Sequence, residues 1–267
     1  MTEDNKTEYD FLVNGFKVKA KYDARDTDDI FIPLCLRLGE LQKKAGRRIT
    51  VYIAGPCGAG KTTLSLFLER LILLHTKISA QAAGIDGFHH RAEYLKSRYT
   101  EKNGVKTLLR DIKGAAETYD FDRLYEKISA LGRGDVYWPG YERTIHDVVE
   151  NAGFIEARIV LLEGNWLMLD EAPWDSLASF CDYGIFVFAE RETLTERLVE
   201  RKIMGGLGGD AARAFVKRSD AANIERILLH RTACDLELFM DKSGRFKINN
   251  PQLYIPYSAV YEKNVTN

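Results

Sequence analysis

Apolar residues along the chain fall into two kinds of run. Ile49–Ala54 and 158–163 are short and almost continuously apolar, as parallel strands buried on both faces should be. Residues 183–188 repeat that pattern, and 78–85 read as a further strand ending at Asp86. Between them, Leu64, Phe67, Leu68 and Leu71 recur at helical spacing, as do Leu124, Ile128 and Leu131 within 121–131. Residues 193–204 and 210–231 read as two helices joined by a glycine-rich turn, Gly205 to Gly209. Strands alternating with helical crossovers predict a three-layer α/β fold, a parallel sheet covered by helices on both faces.

The first residues follow a different period. Phe11, Val13, Phe16, Val18 and Ala20 alternate around Asn14-Gly15, which predicts a β-hairpin. A helix over 30–44 should follow, its start confused by Pro33. Residues 1–47 therefore read as a hairpin-and-helix extension and 48–267 as the main domain. Residues 91–112 are charged and weakly periodic, suited to helices and loops over the sheet's ligand-binding edge. The polar, aromatic stretch 136–147 carries no clear element. Neither do the apolar segments 236–240 and 253–261, whose strand partners the sequence does not assign.

One junction carries chemistry. Gly55-Pro56-Cys57-Gly58-Ala59-Gly60-Lys61-Thr62 fits G-x-x-x-x-G-K-[ST] and stands between a strand and a helix, the context this motif requires. Glycines let successive N–H groups turn around a phosphate, and the helix adds unpaired first-turn N–H groups and a positive dipole end. Gly55, Cys57, Gly58, Ala59, Gly60, Lys61, Thr62 and Thr63 are thus the expected nucleotide-binding set. Lys61 would reach the β/γ-phosphates, and the Thr62 hydroxyl would ligate Mg²⁺. ATP and Mg²⁺ are the expected cofactors.

Bulk composition narrows the class. At 267 residues, 45% hydrophobic and 29% charged, the chain suits a soluble globular protein. A formal charge of −1 gives no pull toward nucleic acid or anionic membrane. No apolar run is long enough to span a bilayer, and the first residues are polar and acidic rather than signal-like. Cys35, Cys57, Cys181 and Cys234 are scattered, so neither a disulfide framework nor a zinc site is expected, and a cytoplasmic location fits. Nearby N–H dipoles and Lys61 could lower the Cys57 pKa, but a small side chain tolerated in a tight loop is the stronger reading. The hairpin either covers a sheet edge or pairs with a second copy, which leaves a homodimer open.

Acids at the carboxyl ends of parallel strands face the ligand crevice. Asp86 ends the second strand in Ile85-Asp86-Gly87-Phe88-His89-His90, and Glu163 ends the third in Leu162-Glu163-Gly164-Asn165. One carboxylate can accept a hydroxyl proton from a phosphoryl acceptor while the other holds Mg²⁺ or its waters. His89 is read as a substrate contact and His90 as solvent-exposed. Arg201, beside the glycine turn, is the candidate to close a lid near 197–212 over the transfer. Arg197 reads instead as part of a solvated helix face. Tyr119, Trp138, Tyr141 and Trp166 could pack on a ring, although such residues more often belong to a core.

These segments resemble the phosphoribulokinase/uridine kinase family of P-loop kinases. The similarity is closest to a bacterial branch containing pantothenate-kinase-like and fructose-kinase-like proteins. It rests on Asp86-Gly87-Phe88-His89, on Leu161-Leu162-Glu163-Gly164-Asn165-Trp166, on Lys113 to Asp120, on Pro139-Gly140-Tyr141-Glu142-Arg143 and on Arg218 to Asn223. It runs from about Arg48 to Leu236, so the hairpin lies outside it, and His90 departs from the usual apolar residue there. The resemblance implies Asp86 as general base, Glu163 as the acid near Mg²⁺, and Tyr141 and Arg143 in the acceptor pocket. It also implies a lid where Arg201 stands.

The expected activity is transfer of the γ-phosphoryl group of ATP to a hydroxyl of a small molecule: a sugar, a nucleoside, pantothenate or a glycerate-like acid. Lys61, Asp86 and Arg201 are its expected catalytic residues. The rival class is a nucleotide-binding regulator with no such acceptor. A GTPase is disfavoured, because the only Asn-Lys pair, Asn5-Lys6, precedes the phosphate loop and continues as Thr7-Glu8.

Overall fold

Strands β1 (Lys6–Val13) and β2 (Phe16–Asp23) pair antiparallel, with Phe11 opposite Val18 and Tyr9 opposite Ala20. This is the expected hairpin. The computed structural model describes residues 5–13, 15–102, 104–142, 144–145 and 147–251. Asn14, Arg143 and the apolar segment 253–261 lie outside them.

Helix α1 (Ala24–Asp26), a π-type turn over Thr27–Phe31 and α2 (Ile32–Ala45) run on without a break. The helical stretch therefore begins at Ala24 rather than Ile30. Asp23 starts it by accepting the Arg25 N–H at 2.9 Å. Pro33 falls in the first turn of α2, just after the wider turn, where a missing N–H and a bulky ring are tolerated.

Next come β3 (Ile49–Ala54), α3 (Lys61–Thr76), β4 (Ala80–Gly84), a tight turn at Asp86–Phe88 and α4 (Ala92–Ser97). Two hairpins stand where no strand was expected: β5 (Tyr99–Lys102) with β6 (Val105–Leu108), and β7 (Val136–Glu142) with β8 (Asp147–Ile155). Between them lies α5 (Phe121–Leu131), with the expected bounds. The remainder is β9 (Ile159–Gly164), β10 (Tyr183–Ala189), α6 (Arg191–Met204), α7 (Gly209–Phe215), a π-type turn, α8 (Ala221–Leu229), β11 (Leu236–Met240) and β12 (Phe246–Ile248).

The main sheet has the order β12-β11-β10-β3-β9-β4, parallel throughout except for β12. One apolar cluster joins Val51 and Ile53 to α2, α3 and α6 through Leu38, Leu64, Phe67 and Leu198. A second joins Tyr52, Ala54 and Leu162 to α5 and α8 through Leu124, Ile128 and Ile227. Alternate residues of one strand thus serve opposite faces, and the molecule has three layers. Among the described residues no helix is long and apolar enough to cross a membrane.

Three contacts fix the pieces that surround the phosphate loop. Gly55 leaves β3 with φ +144, and a Cβ there would stand 2.0 Å from the Val187 carbonyl oxygen, so only glycine fits. The first hairpin is bound into the main core, with the Tyr22 ring stacked on Phe67 at 3.9 Å. Asp26, buried, accepts from Arg245 Nε at 2.9 Å and Nη2 at 2.7 Å, and from the Phe246 N–H at 2.8 Å. Removing that carboxylate leaves the buried Phe246 N–H without its acceptor and the guanidinium with Asp23 at 3.4 Å in place of its two Asp26 bonds. Asp26→Ala should therefore lower the unfolding free energy by about 3 kcal/mol, read from urea denaturation.

Candidate active site

The phosphate loop links a strand buried at every position to a helix that starts at Lys61, with Gly60 in the left-handed conformation as its cap. A cavity of about 590 Å³ lies over it. Its lining includes Cys57, Gly58, Gly60, Lys61, Thr62 and Thr63, and also Asp86 and Glu163. Gly55 and Ala59 of the same loop do not line the cavity; Ala59 is fully buried.

Parallel register brings the two acids to one edge. Glu163 of β9 stands beside Ile53 of β3 and Gly84 of β4. The Thr62 hydroxyl donates to Glu163 Oε1 at 2.9 Å. Lys61 Nζ donates to the Pro56 carbonyl at 3.0 Å and to Asn165 Oδ1 at 2.7 Å. Asn165 in turn donates from Nδ2 to Cys57 Sγ at 2.9 Å. Asn165 was not singled out from the sequence, although it stands two residues beyond Glu163. Burial outweighs the pull of Lys61 and Arg201 and pushes the Cys57 thiol up. It is an inert neutral side chain in a tight loop, and the activated-thiol alternative falls.

Asp86 opens the turn after β4, where the Ile85 N–H donates to the Glu163 carbonyl at 3.0 Å. Its Oδ1 accepts from the Tyr119 hydroxyl at 3.2 Å. Tyr119 stacks on His89 with ring centroids 3.8 Å apart. His89 is buried, and its Nδ1 lies 3.3 Å from the Thr118 carbonyl oxygen and 3.2 Å from Thr118 Oγ1. The Thr118 hydroxyl spends its proton on Ala115 O at 2.7 Å, so both neighbours of Nδ1 are acceptors. Nδ1 therefore carries the proton, and Nε2 is left as an acceptor.

Lys113 donates to the Tyr141 hydroxyl at 2.7 Å; burial lowers its pKa against the opposing pull of Asp147 and Asp86. His89 and Tyr141 are not among the residues lining the cavity; their ring centroids lie 6.1 Å apart. Arg143 lies outside the described residues. Trp166, Trp138 and Tyr119 are buried, so the core reading of the aromatics holds for them.

Two sequence readings need correction. His90 is half-buried rather than solvent-exposed, because its ring stacks on Tyr94 at 4.1 Å. Arg197 is not on a solvated face. It is half-buried, with Nη1 at 3.4 Å from the Gly58 carbonyl oxygen and 3.1 Å from Met240 Sδ, and it lines the cavity. Helical spacing alone could not show this, since it depends on how α6 lies against the loop. Arg201 is exposed and also borders the cavity.

A three-layer fold with this loop at the carboxyl end of a central strand is that of the P-loop nucleotide-binding class. The chain belongs to the phosphoribulokinase/uridine kinase family, whose model matches residues 50–205. An uncharacterized protein of Escherichia coli K12, YggC, is 39% identical over 239 residues, 89% of this chain and 97% of its own. A Schizosaccharomyces pombe protein described as a "putative uridine kinase" is 25% identical over 73% of this chain and 84% of its own. A Silicibacter sp. TM1040 structure described as a "putative fructose transport system kinase" superposes with TM-score 0.68 and 30% identity. That superposition covers 78% of this chain and 98% of the other.

The buried imidazole gives a test of this geometry. Burial pulls the His89 pKa from 6.5 down to about 4, with Lys113 and His90 acting the same way and Asp86 opposing. Below pH 6.5 the unfolded chain binds a proton that the folded one refuses, so this contribution is intact above that pH and is lost on descent toward pH 4. Between pH 7 and 5 the wild type should lose about 2 kcal/mol more stability than His89→Gln, measured by urea unfolding at both pH values.

Proposed function

We propose that the protein is an ATP-dependent kinase that transfers the γ-phosphoryl group to a hydroxyl of a small molecule. The observation that carries this reading is Asp86: a carboxylate on the wall of the cavity that also holds Lys61, Thr62 and Glu163. A nucleotide-binding regulator has no need of a base facing the phosphate loop. A transferase does.

Loop N–H groups, the start of α3 and Lys61 bind the β/γ-phosphates and offset their charge. Asp86 orients the acceptor hydroxyl and takes its proton as the oxygen attacks phosphorus in line with the departing ADP oxygen. Its hydrogen bond from Tyr119 holds the carboxylate in one rotamer. Arg201, at the rim, adds positive charge to the transferring group as segment 197–212 closes.

Thr62 and Glu163 are hard oxygen donors 2.9 Å apart beside the loop, a set that suits Mg²⁺ completed by phosphate oxygens and water. When bound, the ion supplies further neutralisation of the triphosphate. His89, Tyr141 and Arg143 remain the proposed acceptor contacts, with sugars, nucleosides, pantothenate and glycerate-like acids as the candidate acceptor classes. The kinase descriptions of relatives support the reaction type and leave the acceptor to experiment.

ADP release should be followed with Mg-ATP against those four acceptor classes. One class should stimulate turnover, and Asp86→Asn should lower that turnover by about 10³-fold while Mg-ATP affinity stays within about threefold. Binding of Mg-ATP without stimulation by any acceptor would favour the regulator. Full activity of the Asn variant would remove Asp86 as the base.

A further inference from the structure

The cavity over the phosphate loop has a wall that phosphate chemistry does not explain. Besides the loop it is bordered by Val18, Ala20 and Tyr22 of β2, and by Met240 and Phe246 on either side of the turn that joins β11 to β12. The family match covers 50–205, so neither segment belongs to the matched span. The wall is thus built from segments on either side of the matched span.

It is held firmly. Besides the Asp26 clamp, Lys6 Nζ donates to the Ser243 carbonyl at 2.6 Å, and Arg70 Nη2 donates to the Asp10 carbonyl at 3.1 Å. The Tyr22 ring is fixed against Phe67 of α3. A hairpin whose only task was to cover α3 would need Tyr9, Phe11 and Tyr22, which pack on or beside Phe67. Val18 and Ala20 lie on the same inward face yet are only half-buried, and they open onto the cavity.

The volume and chemistry of the space suit a flat heteroaromatic ring. About 590 Å³ is within the usual range for small-ligand sites, and it accommodates more than a triphosphate tail. One side offers the aliphatic surface of Val18 and the small Ala20. Arg197, held between Gly58 O and Met240 Sδ, offers a guanidinium plane able to stack on an aromatic face. A triphosphate bound at Gly58–Thr62 must continue into its nucleoside somewhere within this cavity.

We propose that the N-terminal hairpin is part of the nucleotide site, with Val18 and Ala20 forming the seat of the nucleobase opposite Arg197 and Met240. The inference rests on the reading that the phosphate loop binds a nucleoside triphosphate. It does not require the kinase reaction.

The test separates the nucleoside from the phosphates. Mg-ATP and inorganic tripolyphosphate are titrated calorimetrically into the wild type and into Ala20→Trp, which fills the seat, with melting curves to confirm that the variant folds. Mg-ATP affinity should fall at least about tenfold in the variant while tripolyphosphate affinity stays within about twofold. Unchanged Mg-ATP binding overturns the proposal, and so does a parallel fall for both probes, which would mean that the hairpin acts through the loop.

Hydrogen exchange on the wild type tests the same point without a substitution: Mg-ATP should slow exchange across residues 16–22 and tripolyphosphate should not. Equal effects of the two probes there overturn the seat. Tight, base-dependent Mg-ATP binding with no acceptor turnover would sink the kinase reading and leave the seat standing. A wild type that binds neither probe removes both.

Discussion

The register of three strand ends is the constraint on which the site depends. Glu163 is flanked by Ile53 and Gly84, and one rung further Ala54 meets Gly164. A slip of one residue would turn Glu163 toward the opposite face and part its carboxylate from Thr62. Such a slip is opposed by the burial of β3 and β9 at every position, because each slipped residue would exchange one packed layer for the other. Gly84 completes the arrangement: a Cβ at that position would stand 3.0 Å from Glu163 Oε1, tight enough to displace the carboxylate.

Much of this was legible in the sequence because it is written locally. The phosphate loop needs glycines, a lysine and a threonine at fixed spacing, and its flanking strand and helix carry their own periods. The first hairpin was legible for the same reason. The other two hairpins were not, for different causes. Asn103-Gly104 carries the same turn signal as Asn14-Gly15, but its flanks are charged and bury little, so no apolar alternation supports it. In β7 and β8 the alternation is broken by Pro139, Gly140 and a register shift between Trp138 and Gly140.

Arg197 and His90 show where local reading stops. Both occupy positions that a helical or turn pattern marks as outward-facing. Each is drawn in by a partner far away in sequence or by a ring nearby: Met240 and Gly58 for the arginine, Tyr94 for the histidine. Asn165 is a related case. In the sequence reading it belongs only to a longer segment, with no role of its own, yet it links Lys61 to Cys57 across the loop and so restrains the lysine that the motif had already identified. Lysine and acid are fixed by type, whereas their restraints are fixed by packing.

The same distinction separates the two ends of the site. Phosphate recognition uses backbone N–H groups and one helix start, which any chain with the right glycines can supply. The surroundings of Asp86 are assembled from the segments around Lys113, Thr118 and Tyr141, which meet through long-range contacts. The Trp166 indole donates to Gly114 O at 3.0 Å, and Arg226 bonds Glu117 at 2.7 Å. Trp138 donates to Gly84 O at 2.8 Å and ties β7 to the end of β4, two residues before Asp86. A neutral His89 fits this frame, since burial costs its charged form more than the nearby Asp86 returns. On the proposed kinase reading, choice of acceptor would rest on a few donors and acceptors held by the core, and chains sharing one phosphate loop are free to diverge in what they bind beside it.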